Sequence, residues 1–518
     1  MGTNNALSST LGRAMRSSSS QTDKLSSRTT ASAAILITSR LIARGLDLAT
    51  LVVLGRLLSP ADFGIVAIAM AVVQIVEAIM ELPLSLALVA LPARTKRHYD
   101  SAFTLQLIRG LALAAILLAL AWPLAYIYDD HRLIWLVCAL SIAPVSRGLL
   151  SPRTVEYVLN FNFLPSLTTE FAGKLAAFAL SVTVAGLTGS YWSIVVGTIA
   201  SPVTMLVASY CFAPYLPTIS LREWRAFSKY LRWTTASQAV AAVVWQMDQL
   251  MLGRFVDRLE LGRFSMAANL SALPLQVLVG QITSPLAVAF SSVREDLGRL
   301  KTAYHTSALG IVAIGLPIMV WISANAEPII RLILGEKWGG AAWILSGLSL
   351  AMIPPLFAGP LIPLVTTLNK TDVFLRLSLI ELFIKLPLML VALIYYGLAG
   401  VIAVRLATAL AMSGCTMFVV REMTGLRLRD QLLGPWRTMA SVAIMAVAIL
   451  PLQARFSDPQ SLLQLVLDLT IVGSVGAAVY VASMFLLWRA TGRPDGIELH
   501  IVKLLASGWR LIRGSHPS

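Results

Sequence analysis

Residues 54–64 read LGRLLSPADFG, a polar turn with an Arg, a Ser-Pro step and an acid, set between two long apolar runs. At 252–262 the chain reads LGRFVDRLELG. Both stretches begin Leu-Gly-Arg and carry an acid two residues before a Gly, at identical spacing. A second match lies farther along: EFAGK at 170–174 followed by GLTG at 186–189 parallels ELFIK at 381–385 followed by GLAG at 397–400. In each copy Glu and Lys stand four apart, and the Gly turn begins twelve residues after the Lys. The two offsets, 198 and 211 residues, are similar. Charged residues and glycines at fixed spacing carry more information than recurring Leu and Val, so the matches mark an internal repeat.

Composition says what kind of repeat this is. The 518 residues are 57% hydrophobic and 13% charged, with a mean hydropathy of +0.77. A soluble domain holds roughly 25% charged residues, so about half the usual solvated surface is present. Apolar runs of about 20 residues recur along most of the chain, each long enough to cross a hydrocarbon core. The chain therefore reads as an integral membrane protein. Cys138, Cys211 and Cys415 stand far apart inside apolar runs and offer neither a disulfide framework nor metal-ligand spacing. The net charge of +15 suits anionic headgroups and topology rather than nucleic acid. Residues 1–30 are Ser-rich, basic and acid-poor without an apolar core, which excludes a secretory signal. They read as a disordered cytoplasmic tail, a mitochondrial transit peptide being the lesser alternative.

Fourteen spans are expected, starting near Ser32, Asp62, Ala102, Leu133, Pro165, Gly189, Tyr230, Gly262, Tyr304, Gly339, Val373, Gly400, Arg437 and Leu462. The third, fourth and fourteenth read as clean; the second, eighth and tenth contain Pro and should bend. With the N-terminus inside, the inner segments hold 26 Lys and Arg and the outer loops 8, the asymmetry that cytoplasmic loops require. Six helices then separate the two copies of the repeat, an even number, so both copies have the same orientation and relate by an axis along the membrane normal. The expected organisation is a basic tail (1–30), a first six-helix lobe (31–212), a cytoplasmic linker (213–229), a second lobe (230–421), two further helices (422–490) and a cytoplasmic amphipathic tail (491–518).

Seven of the 41 bases fall inside the spans: Arg40, Arg44, Arg109, Lys174, Arg376, Lys385 and Arg405. A base at the bilayer centre costs about 2.5–3.5 kcal/mol even on the lenient insertion scale, so these should face protein or water. Arg40, Arg44 and Asp47 share one face of the first helix. Two bases with one nearby acid leave a surplus cation, which suits a water-filled cavity receiving an anion. Phosphate or pyrophosphate fits, because Arg meets its oxygens in a bidentate fork. Glu170–Lys174 and Glu381–Lys385 are i,i+4 pairs in the favourable order, able to neutralise themselves. Arg376 should snorkel. Glu77 lines a face of the second helix and Asp248 a face of the seventh. Candidate cavity bases are thus Arg40, Arg44, Lys174, Lys385 and Arg405. Candidate coupling or cavity acids are Asp47, Glu77, Glu170, Asp248 and Glu381.

The stretch ARGLDLATLVVLGRLLSPADFGIVAIAMAVVQIV resembles the N-terminal signature of the polysaccharide transporter family. LILGEKWGGAAWIL at 332–345 resembles the segment opening that family's tenth helix, and VVWQMDQLMLGRFVDRLELGRFSMA its seventh. The resemblance covers most of residues 30–425. It implies two six-helix lobes and Wzx-type flipping of a polyprenyl-pyrophosphate-linked oligosaccharide for O-antigen, capsule or exopolysaccharide. Such transport would use H+ or Na+ coupling, no other cofactor, and a polymerase of the same pathway as partner, in the bacterial inner membrane with both termini cytoplasmic. Between helices four and five the family commonly has Arg-acid-x-x-Phe-Arg, whereas this chain has VEYVLNFNFLP, so a headgroup contact there does not carry over. A drug exporter of the same superfamily shares the lobes but is opposed by the cationic first helix. A membrane-embedded glycosyltransferase would need outer carboxylates; YDDHR at 128–132 offers only Asp129 and Asp130 on a short loop, read here as a solvated turn.

Overall fold

The computed structural model describes residues 42–81, 84, 88, 95–160, 162–224, 234–455 and 461–492. Arg40, the N-terminal tail, residues 225–229 of the linker and residues 493–518 of the C-terminal tail lie outside the described residues. Among the described residues every regular element is helical, and ten stretches are long and apolar enough to cross a membrane. The chain is an all-α, multi-pass membrane protein, compatible with the expected fourteen spans.

In chain order the helices are α1 (residues 42–57), α2 (Pro60–Ile79), α3 (Lys96–Ile127), α4 (residues 132–148), α5 (Leu164–Thr188), α6 (Trp192–Phe212), α7 (Thr234–Phe255), α8 (Arg258–Val293), α9 (Leu297–Ala324), α10 (Glu336–Thr367), α11 and α12 (residues 372–396 and 398–424), α13 (Trp436–Arg455) and α14 (Leu462–Ala490). Gly397, at φ 56° and ψ −137°, breaks the apolar run from Asp372 to Thr424 into α11 and α12, a conformation that a side chain would strain. The fourth span is not clean. It divides into Arg132–Leu140 and Ile142–Gly148, because Pro144 has no N–H for the carbonyl of Leu140 and its ring crowds that carbonyl. The tenth is interrupted at Pro354–Ala358, as its prolines require.

The repeated turns begin helices by the same device. Ser59 caps α2: its hydroxyl accepts from the Asp62 N–H at 3.3 Å, while the Asp62 carboxylate accepts from the Ser59 N–H at 3.0 Å, and Pro60 fills the first helical position. One repeat later, at the same offset of 198, Asp257 caps α8 by accepting from the Glu260 N–H at 2.7 Å.

The chain forms two compact units. The first comprises residues up to Leu54, Leu82–Leu124 and Ile134–Arg232. Within it α5 and α6 pack as a hairpin through small residues: a Cβ on Gly173 would meet Met205 and Ser201, and one on Gly197 would meet Ser181 and Ala177. Glycines 110 and 148 bring α3 against the second arm of α4 in the same way. The beginning of the linker is strapped to α3. The Asp100 carboxylate, 4% exposed, accepts from the Tyr215 hydroxyl and from the Thr218 N–H and hydroxyl. Thr104 and Ser101 hydroxyls accept from the N–H groups of Ser220 and Glu223.

The second unit comprises Gly55–Glu81, Ala125–Leu133 and Trp233–Ser518, so the first repeated turn and α2 belong with α7 to α14. Here the two repeated turns meet. A Cβ on Gly64 would stand 1.9 Å from the Arg258 carbonyl oxygen, and one on Gly262 only 1.7 Å from that of Pro60. Glycine at both sites is what lets α2 and α8 cross in backbone contact. Each turn is also held by a loop from the opposite half of the sequence. Arg56 donates to the carbonyls of Leu332 and Ile333, the Lys337 ammonium to the Arg56 carbonyl, and the Trp338 indole to the Gly55 carbonyl at 2.8 Å. Trp338 is fully buried with its ring edge-on to Phe63. Reciprocally, Arg258 of the second turn donates to the carbonyl of Tyr128 at 2.7 Å and pairs with Asp130 at 3.5 Å.

That last contact corrects the reading of YDDHR. The Asp130 side chain is 10% exposed and receives Arg132 bidentately at 2.9 Å, so it is a filled clamp rather than a solvated carboxylate. Burial alone would raise its pKa, but the hydrogen bonds from Arg132 and the charge of Arg258 outweigh that and hold it below the ordinary value.

Candidate functional site

Two charged clusters lie within the membrane-spanning helices, one in each unit. In the first unit the Lys174 ammonium of α5 reaches the Asp47 carboxylate of α1 directly, and Arg44 stands 3.8 Å from the same carboxylate. The side chains are open: Arg44 is 51% exposed, Asp47 40% and Lys174 22%. Two cations share one acid. Charges this open would not be tolerated by acyl chains, so the exposed side of this cluster requires water or a ligand.

In the second unit Asp248 of α7 lies 2.7 Å from the Lys385 ammonium of α11 and 3.5 Å from the Arg405 guanidinium of α12. Lys385 also donates to the Val244 carbonyl at 2.9 Å. This cluster is sealed, with the Asp248 and Lys385 side chains 2% and 5% exposed. Arg405 is capped on one side by the ring of Trp245, its guanidinium carbon 5.9 Å from the ring centroid. Gln246, buried beside it in sequence, donates to Gln74 of α2.

The clusters share a Lys–Asp contact, while the second cation comes from α1 in one and from α12 in the other. In each half a Lys four residues after a Glu on the fifth helix pairs with an Asp on the first. Lys174 and Lys385 are repeat-equivalent at the offset of 211. The expected self-neutralising pairs are not formed: among the described residues no ion pair joins Glu170 to Lys174 or Glu381 to Lys385. An exposed i,i+4 pair contributes only about 0.2–0.5 kcal/mol. An acid on a neighbouring helix, partly removed from water, attracts the ammonium more strongly. Glu170 and Glu381 remain half-buried beside lysines committed elsewhere. Glu77 is half-buried on α2, and Arg376 pairs with Asp372 at 2.7 Å on an exposed face.

Asp248 thus already holds two cations of the chain itself, so an external cation would have to displace one of them. Asp47 and Lys174 are open to exchange. Sequence spacing could pair each Lys only within its own helix. The signal available was the repeat: an Asp precedes the polar turn in both halves, seven residues before it at Asp47 and four before it at Asp248. The reciprocal clamps at Arg56 and Arg258, the buried Trp338 and the Asp100 strap were missed, because loop charges read as solvent-facing.

A family model described as "Polysaccharide biosynthesis protein" matches residues 53–342. The chain belongs to this family. The succinoglycan biosynthesis transport protein ExoT of Rhizobium meliloti (strain 1021) is 26% identical over 310 residues, 59% of this chain and 62% of ExoT, so the match spans less than two thirds of that relative. The lipopolysaccharide biosynthesis protein WzxC of Escherichia coli (strain K12) is 19% identical over 399 residues, 76% of this chain and 81% of WzxC. Among solved structures, lipid II flippase MurJ in an inward closed conformation matches with a TM-score of 0.66 at 15% identity, covering 88% of this chain and 99% of MurJ. An inward-facing multidrug resistance MATE family transporter of the MOP superfamily gives 0.59 at 15% identity, covering 73% and 94%. These two likenesses show the fold, an all-helical architecture shared over most of the chain. The family match contains both repeated turns and the LGEKW segment, the parts that clamp one another in the second unit.

Proposed function

We propose that this protein is a flippase. It moves a polyprenyl-pyrophosphate-linked oligosaccharide, the unit of an O-antigen, capsule or exopolysaccharide, from the inner to the outer leaflet of the bacterial inner membrane by alternating access. Both termini lie in the cytoplasm. The observation that carries this reading is the open Arg44–Asp47–Lys174 cluster, an intramembrane site with one more cation than acid. A pyrophosphate can take the place of the Asp47 carboxylate before Lys174 and Arg44. The guanidinium supplies a planar fork for two oxygens and the ammonium a compact charge. Two relatives, a succinoglycan biosynthesis transport protein and a lipopolysaccharide biosynthesis protein, agree with a lipid-linked sugar as cargo.

Exchange of partners gives the cluster a cycle. Without cargo Asp47 neutralises Lys174; with cargo the phosphoryl oxygens do so and Asp47 is released. Coupling to H+ or Na+ would then fall to acids without a committed cation, Glu170 in the first half and Glu381 in the second, with Asp47 joining them when cargo binds. The Asp248 cluster serves as the closed counterpart that ties α7 to α11 and α12. A drug exporter of the same fold would gain nothing from a surplus guanidinium in its first helix. Membrane lipids and a polymerase of the same pathway are the expected partners.

Reconstitution tests the proposal. Purified protein in liposomes should carry an undecaprenyl-pyrophosphate-linked oligosaccharide across the bilayer, measured as protection from a membrane-impermeant glycosidase. Flux no faster than in empty liposomes, with the lipid of the cognate gene cluster, would contradict it.

A further inference from the structure

The second unit holds a cavity that the proposed transport site does not use. It lies where the short helix Ala326–Ile333 and the start of α10 approach the start of α14, at the end that the charge count assigns to the outside. Its volume is about 570 Å³, within the usual range of ligand pockets. Among the described residues three bases line it, Arg56, Arg331 and Lys337, against one acid, Glu336. Only eight bases in the whole chain were assigned to that side, so their gathering around one space is not a general property of the surface.

The three bases differ in how far they are committed. Arg56 spends Nε and Nη2 on the carbonyls of Ile333 and Leu332. Lys337 spends one N–H on the Arg56 carbonyl and keeps two. Among the described residues the Arg331 side chain makes no hydrogen bond or ion pair, although Glu327 stands four residues earlier on the same short helix, the spacing at which such a pair usually closes. Arg331 instead lines this cavity and an adjoining one of about 260 Å³, shared through Leu465. The remaining wall combines Ser461, the cap of α14, with the apolar Leu462 and Leu465. The positive end of the α14 dipole adds to the same field.

We infer that this cavity is a phosphoryl-anion site, with Arg331 as its fork, Lys337 as its point charge and the leucines as the floor for a lipid chain. The same chemistry has two sources: the phosphate of an anionic phospholipid, or the pyrophosphate of cargo that has crossed. Only the second depends on the function proposed above.

The test uses the full-length protein and Arg331→Gln, which removes a side chain without a partner among the described residues and should leave the melting temperature unchanged. Two probes are compared in both proteins: affinity for inorganic pyrophosphate by calorimetry, and phosphatidylglycerol retained by native mass spectrometry from nanodiscs of phosphatidylglycerol and phosphatidylcholine. Lys174→Gln is included to subtract pyrophosphate bound at the transport cluster. A tenfold or greater loss of pyrophosphate affinity in Arg331→Gln, persisting in the Lys174→Gln background, supports the site with cargo as its source. Unchanged pyrophosphate affinity with at least a halving of retained phosphatidylglycerol supports it with lipid as its source. If Arg331→Gln and Lys337→Gln, both folded, alter neither measurement, the inference is overturned.

Discussion

Asp248→Asn should be the most damaging single substitution in the helical core. It removes the only carboxylate within 4 Å of Lys385 and Arg405 among the described residues and leaves two cations where the side chains are 5% and 14% exposed. Breaking a buried pair by deleting one partner costs about 3–5 kcal/mol, because the remaining charge stays desolvated. The purified protein should therefore melt far lower or fail to yield a monodisperse peak. The double variant Asp248→Asn with Lys385→Met should recover part of the loss, since the ammonium leaves with its partner. Asp47→Asn should cost much less, its partners being open to solvent. If Asp248→Asn melts with the wild type, the cluster is not a structural lock.

The second large effect is expected at the crossing of the repeated turns. A Cβ on Gly262 would lie 1.7 Å from the Pro60 oxygen, 2.6 Å from its carbonyl carbon and 3.0 Å from the Gly64 nitrogen. These are backbone atoms and cannot turn aside, so α2 and α8 must separate. Overpacking commonly costs about 1–3 kcal/mol and occasionally more; a clash with backbone on three atoms belongs at the upper end. Gly262→Ala, and independently Gly64→Ala, should lower the melting temperature strongly. Gly414→Ala is the control, with nothing within 4 Å of the added methyl; it should be neutral or slightly stabilising, as Ala favours helix. Equal melting of all three would show that the turns do not cross in contact.

These two sites also show where the sequence was readable. The repeat was legible in Gly64 and Gly262 because a glycine at fixed spacing between charged residues reports a backbone requirement rather than general greasiness. One cap was legible from chemistry alone, since Ser59 with Pro60 and Asp62 states a helix start, whereas the Asp257 cap of α8 was not read. Lys174 was found, but its partner was misjudged, since spacing within one helix shows Glu170 and hides Asp47 some 127 positions away. The break in α4 was present as Pro144 and was passed over inside an apolar run. Asp130, Arg258, Arg331 and Trp338 were opaque for another reason. A short loop between spans looks solvated in one dimension, and only the tertiary fold brings the loop of one half onto the turn of the other.

The claim that an open, cation-rich cluster on α1 and α5 carries the pyrophosphate is tested most directly by flux through Arg44→Ala. Arg44 is half exposed and its nearest acid is also held by Lys174, so the variant should insert and fold normally. Reconstituted at equal density in liposomes, it should flip the pyrophosphate-linked oligosaccharide at least tenfold more slowly than the wild type. Wild-type flux in Arg44→Ala would contradict the account and return the cluster to a structural role.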